Sequence, residues 1–148
     1  MRIEYIVALL LIFLVIFFRM EATASGAKIY NIRYDNNGEA IFNEIEVSLP
    51  PSLSAEDHAH ALIVALFDKK HSSNFAPPGT QILTLIINDN HLTLNISKDI
   101  LGFGETYYEN CLRPQIVKTA LTIPQIDTVT LLVDNEHYYR FEKGKENR

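Results

Sequence analysis

Between Gln81 and Ser97 the chain reads QILTLII, then Asn-Asp-Asn, then HLTLNIS. Two alternating apolar runs joined by residues that tolerate left-handed backbone make a hairpin, and a hairpin is antiparallel. A second pair lies upstream. KIYNIRY (28–34) and AIFNEIEV (40–47) flank DNNGE, whose Asn37-Gly38 suits the positive φ of a tight turn. Two hairpins exclude a purely parallel βαβ protein and require a mixed or antiparallel sheet with helices on one side.

The side-chain periods refine this frame. Tyr30, Ile32 and Tyr34 share one face of the first strand. In the second, Ile41, Ile45 and Val47 oppose Glu44 and Glu46. Leu83, Leu85 and Ile87 alternate with Ile82 and Ile86, so both faces of that strand are expected to be covered. Leu92, Leu94 and Ile96 alternate with Thr93 and Asn95, so one face of the next strand meets water. Pro50-Pro51 ends the first pair, because proline cannot donate to a ladder, and Pro77-Pro78-Gly79 precedes the second.

Two helices separate the strands. Ser54 is an N-cap with Glu56 and Asp57 in the first turn, where the helix dipole favours carboxylates. Ala55, Ala59, Leu62, Ile63 and Leu66 form its apolar stripe, with Asp57, His60 and Asp68 opposite. The second helix is PQIVKTALTI, its stripe Leu112, Ile116, Ala120 and Ile123. Pro114 either opens this helix near Arg113 or kinks a longer one that starts near Glu105. In the continuous case Cys111 projects with Gln115 and Lys118, away from the stripe. Pro124 stops the helix, and DTVTLLV supplies a last clear strand with Val129, Leu131 and Val133 on one side. The expectation is α+β: one mixed or antiparallel sheet of about five strands with two helices packed on one face.

An apolar run, YIVALLLIFLVIFF (5–18), precedes all this between Arg2 and Arg19. It reads as an export segment, and EATASG supplies a small-x-small cleavage site with Ala22 and Ala24. A run of this length is short for a membrane span, yet Ile3 and Met20 extend it, so cleaved signal peptide and uncleaved anchor both stand. Residues 1–24 are therefore signal peptide or signal anchor, 25–27 a short linker, 28–141 the domain and 142–148 a charged tail. The product is expected outside the cytoplasmic membrane, secreted or in the envelope, or held to the membrane by residues 3–20.

Chemistry is sparse. A net charge of −5 without clustered Lys/Arg argues against nucleic-acid binding. The single cysteine, Cys111, excludes an internal disulfide and a cysteine zinc site. His58 and His60 point about 200° apart on a helix and cannot chelate one ion. Gly102-Phe103-Gly104 lacks the third glycine of a dinucleotide loop. Glu44 and Glu46 lie within glycosidase carboxylate spacing, but alternating glutamates are usual on a solvated strand face. Asn95-Ile96-Ser97 matches a glycosylation triplet inside a core-facing register. No catalytic, metal or cofactor residue is assigned. Phe75, Pro77 and Pro78 of the loop HSSNFAPPG, with Tyr138, Tyr139 and Phe141 of the aromatic end, are the candidate contact surface. A peptidoglycan- or glycan-binding module, or an envelope enzyme, is the alternative. It would need a pocket joining Glu44, Glu46 and a histidine.

APPGTQILTLIINDNHLTLNISKDI and QIVKTALTIPQIDTVTLLVDNE together resemble the GerMN domain of GerM-type sporulation and germination proteins. That family shows Pro-Pro-Gly-Thr, a strand, a turn, a strand ending in Ser-Lys, and a glycine-containing loop. A Gln-Ile-Val-x-Thr-Leu helix, a proline, a strand and a Val-Asp-Gly turn follow. Here these fall on Pro77–Thr80, Gln81–Ile87, His91–Lys98, Gly102–Gly104, Gln115–Leu121, Pro124, Thr128–Val133 and Asp134. The resemblance implies a small extracytoplasmic α+β domain related to the ring-building motifs of sporulation channels. Its implied role is assembly with other envelope or sporulation proteins, or with itself, without catalytic residues or cofactor. The chain departs from the family pattern in having one copy, no lipidation cysteine, Pro114 at the helix start and Asn135 in place of glycine.

Overall fold

The computed structural model describes residues 26–50 and 53–144, without the side chains of His137 and Tyr138. The expected export segment and residues 145–148 of the expected tail lie outside the described residues. The order is β1 (Ala27–Tyr34), β2 (Ala40–Val47), α1 (Ala55–Phe67), β3 (Ile82–Asn88) and β4 (His91–Ile96). A 3-10 turn (Lys98–Leu101), α2 (Glu105–Tyr107), a π-helical turn (Tyr108–Leu112), α3 (Arg113–Ala120), β5 (Thr128–Val133) and β6 (Glu136–Glu142) complete it.

The fold is α+β, but the strands form two sheets. β1 and β2 make an antiparallel pair, and the second sheet runs β3-β4-β5-β6. β4 and β5 are parallel, joined by the helical crossover, and both outer pairs are antiparallel. This corrects the expectation of one sheet of about five strands. The aromatic end is itself a strand, because it pairs with β5 along its length.

The tight turns account for several polar residues. The Asp35 carboxylate accepts from the backbone N–H groups of Asn37 (2.8 Å) and Glu39 (2.9 Å), and Gly38 takes φ +81°. Asp134 and Asn135 between β5 and β6 both have positive φ, 54° and 69°. Asparagine tolerates that conformation, which glycine would otherwise supply. The Asn135 side chain is also used: it accepts from the buried Asn95 amide at 2.9 Å, and Asn95 Oδ1 accepts from the Asn135 N–H at 3.1 Å. The family departure at Asn135 thus satisfies a buried polar group, and Asn95 is closed to glycosylation. In Pro77-Pro78-Gly79-Thr80, Gly79 has φ +88° and the Thr80 N–H donates to the Pro77 carbonyl at 3.2 Å. Proline at the second position and positive-φ glycine at the third is the type II pattern.

One core holds both sheets and the helices together. Ser54 caps α1, its hydroxyl accepting from the Asp57 N–H at 3.1 Å, and Ala59, Leu62, Ile63 and Leu66 are buried as the stripe requires. Opposite them lie Leu92, Leu94, Ile96, Val129, Leu131 and Val133, with Ala27, Ile29 and Val47 from the small sheet. β3 departs from expectation. A bulge between Ile82 and Thr84 resets the alternation, so Ile82, Leu85 and Ile87 pack on the core. Leu83 and Ile86 are left 40% and 45% exposed. The outer face of β3 is not covered.

Pro114 is accommodated by changing helix type. Helical backbone begins at Glu105, and the π turn widens the ladder so that the Arg113 N–H reaches the Tyr108 carbonyl, five residues back. Pro114 then falls in the first turn of α3, where no N–H is needed. The Asn110 carbonyl, four residues before the proline, accepts from the Tyr34 hydroxyl at 2.5 Å.

Candidate functional site

α3 buries polar residues on purpose. Gln115 and Thr119 are 0% exposed, which corrects the grouping of Gln115 with Lys118 on an outward face. They close the edge of β1 that does not pair with β2. The Ile32 N–H donates to Gln115 Oε1 at 2.7 Å, and the Tyr30 N–H to Thr119 Oγ1 at 3.0 Å. Asn74 completes the clamp: its amide donates to the Ile32 carbonyl (2.5 Å) and to Gln115 Oε1 (2.9 Å), while Gln115 Nε2 donates to the Asn74 carbonyl (3.2 Å). An unpaired strand edge would invite another chain. Here helix and loop side chains take the place of a neighbouring strand, which is why the strands divide into two sheets.

The clamp fixes α3 beside β2 and β6 and so creates a groove. Its volume is about 330 Å³, lined by Phe42, Arg113, Pro114, Val117, Lys118, Leu121, Tyr139 and Phe141. The Arg113 guanidinium lies 4.6 Å from the centroid of the Tyr139 ring. The Lys118 ammonium lies 4.8 Å from that of Phe42 and 5.2 Å from that of Tyr30. These are cation–π distances. Glu109, one turn back, stands 3.7 Å from Arg113. Beyond Tyr30, the Glu44 carboxylate accepts from its hydroxyl at 2.8 Å and pairs with Lys28 at 2.5 Å. The Lys28 hydrogen bond, then that of Tyr30, holds Glu44 below the usual carboxylate range. Glu44 is thus engaged as a surface partner, and neither it nor Glu46 lines the groove.

The six residues singled out from the sequence part company. Tyr139 and Phe141 line the groove. The side chain of Tyr138 lies outside the described residues. Phe75 sits in a different place, edge-to-face with Phe103 (5.9 Å), which in turn meets Tyr107 (5.5 Å). The Tyr107 hydroxyl donates to the Phe75 carbonyl at 3.1 Å. Pro78 is exposed, whereas Pro77 is buried against Gly102, where a Cβ would come 3.1 Å from the proline and 3.0 Å from the Asp99 carbonyl. Phe42, Arg113, Pro114, Val117, Lys118 and Leu121 were not legible as site residues, because only the folded contact of α3 with β2 and β6 joins them.

Other chemistry stays dispersed. Cys111 is half-buried, and burial pushes its thiol pKa up, which disfavours the reactive thiolate. A second, polar hollow of about 300 Å³ lies between Glu56, Asp57 and His60 of α1 and Ile82–Leu85 of β3. Glu56 is spoken for there, accepting from the Ile87 N–H at 3.2 Å. Among the described residues no three His, Cys, Asp or Glu side chains are placed to hold a metal ion.

These features define a small α+β domain with a clamped strand edge and an amphipathic groove. The chain belongs to the Germane family, described as sporulation and spore germination, whose model matches residues 28–139. Among solved structures it is similar to a protein from Clostridium perfringens described as a candidate lipoprotein. The identity is 25%, over 78% of this chain and 85% of that one, with a TM-score of 0.50. It is also similar to the tandem GerMN domains of the sporulation protein GerM from Bacillus subtilis: 13% identity, 80% of this chain, 44% of that one, TM-score 0.58. The first GerMN domain of the same protein gives 17% identity, 76% and 85% coverage, and a TM-score of 0.52. The chain therefore spans less than half of the tandem protein, and at these identities the GerM likeness establishes the fold. No match is found among curated protein sequences.

Proposed function

We propose that this chain is a non-enzymatic extracytoplasmic envelope protein that uses its Germane domain to assemble with other proteins during sporulation or germination. The observation that carries this reading is the groove, where Tyr139 and Phe141 stand beside Arg113 and Lys118 over an apolar floor. Aromatic and arginine side chains around an apolar centre are what protein interfaces favour. The envelope location draws support from the lipoprotein description of the Clostridium relative and from the apolar run at residues 5–18. A sugar-binding platform needs an open aromatic face, and Arg113 covers one face of Tyr139.

The test is affinity capture from the envelope fraction of sporulating cells, comparing the native chain with Tyr139→Ala and with Ile86→Thr on the outer sheet face. Tyr139→Ala, checked for folding by circular dichroism, is expected to lose about tenfold or more of a specific partner, the size of an interface anchor. Ile86→Thr is expected to retain it. Undiminished capture by Tyr139→Ala would remove the groove as the contact surface.

A further inference from the structure

The chemistry that the groove accepts follows from the helix that forms its floor. At 3.6 residues per turn, Arg113 and Lys118 stand about 140° apart around α3, and Val117, Leu121 and Pro114 fall between them. The result is an apolar strip with a cation on each rim, facing Phe42 on one side and Tyr139 and Phe141 on the other. The two cations differ in how they are held. Arg113 stacks on Tyr139 and has a loose, solvent-exposed partner in Glu109 at 3.7 Å, a contact of little net strength. Lys118 lies over Phe42 and Tyr30, and no carboxylate of the described residues is within ion-pair reach of it. This cationic groove occurs on a chain of net charge −5, so its field stands out against the rest of the surface.

We propose that the groove docks an acidic, apolar-containing peptide segment of a partner protein. An apolar side chain of the segment covers Val117, Leu121 and Phe141, and flanking carboxylates meet Lys118 and Arg113. Arginine can receive a carboxylate bidentately while remaining stacked on an aromatic ring. Lysine over two rings has no carboxylate partner among the described residues and retains N–H donors for an incoming one. A basic segment would instead face repulsion from both rims, so the same geometry selects against the wrong partner. This proposal rests on the protein-assembly reading and narrows it.

The experiment uses a fluorescein-labelled peptide in which leucine and phenylalanine alternate with glutamate pairs, and a twin carrying lysine in place of every glutamate. Fluorescence anisotropy with the native chain should show saturable binding of the acidic peptide, weakening with salt, and none of the twin. Lys118→Glu, an exposed-site change, should weaken binding about tenfold or more, and Arg113→Ala similarly, as loss of a charge-assisted contact implies. Lys69→Glu, in the turn that follows α1, should leave binding unchanged. Equal binding of the twin, or indifference to Lys118→Glu, would overturn the proposal. So would Lys118-dependent binding to phosphatidylglycerol vesicles without peptide binding, which would reassign the groove to lipid. Envelope capture separates this from the broader reading. If Lys118→Glu still captures a partner and the peptide does not bind, the acidic-segment proposal falls and the assembly reading stands. If the peptide binds but the native chain captures nothing, the assembly reading alone falls.

Discussion

Replacing Gln115 by leucine is expected to lower stability by about 2 kcal/mol, although leucine is apolar and close in size. The buried amide accepts from the Ile32 N–H and from Asn74, and donates to the Asn74 carbonyl. Leucine leaves the Ile32 N–H without an acceptor at a fully buried position, and an unsatisfied buried polar group costs about 1–3 kcal/mol. Asn74 keeps other partners, its amide donating to the Ile32 carbonyl and its own carbonyl accepting from the Ser72 hydroxyl, so the loss is partial. Thr119→Val removes a single contact, to the Tyr30 N–H, and should cost about 1 kcal/mol. Urea unfolding followed by circular dichroism reads both. A Gln115→Leu midpoint within error of the native chain would mean that β1 is not held by this clamp.

The other large effect lies in the main sheet. Leu94 is fully buried on β4, between β3 and β5, among side chains that the helices cover. Leu94→Ala is expected to cost about 3 kcal/mol, from lost apolar transfer and the cavity left behind. Ile86→Thr on the neighbouring strand should fall within about 0.5 kcal/mol of neutral, because that side chain already stands 45% in solvent. Threonine also suits a strand as well as isoleucine does. The contrast is informative, since alternation along QILTLII places apolar residues on both faces with equal weight. If Ile86→Thr proved as costly as Leu94→Ala, the outer face of the sheet would be covered after all.

The features legible in the sequence are those set by neighbours a few residues apart. Both hairpins, the Ser54 cap, the stripe of α1 and the alternation of Val129, Leu131 and Val133 depend on local backbone and period. The misread features depend on partners far along the chain. Gln115 looked like an outward polar residue because its partner at Ile32 is 83 residues away, and no local pattern signals it. The bulge that turns Leu83 outward adds one residue to one strand only, which a strict period of two cannot represent. β6 read as an aromatic end because its strand character comes from pairing with β5. Yet the alternation of Tyr139 and Phe141 with Arg140 and Glu142 was present in its sequence. The same division holds for the site. Tyr139 and Phe141 were visible as aromatic residues without a local role. Arg113 and Lys118 join them in the groove only because Gln115 and Thr119 dock α3 against β1.

In the proposed assembly role, the docked helix and β6 present the surface by which the domain meets its partners. Site-specific photocrosslinking in the cells that make the protein tests it most directly, with benzoylphenylalanine placed at Phe141 in the groove and, separately, at Ile86 on the outer sheet face. A discrete protein adduct is expected from position 141 and none from position 86. An adduct from position 86 alone, or equal adducts from both, would contradict that role.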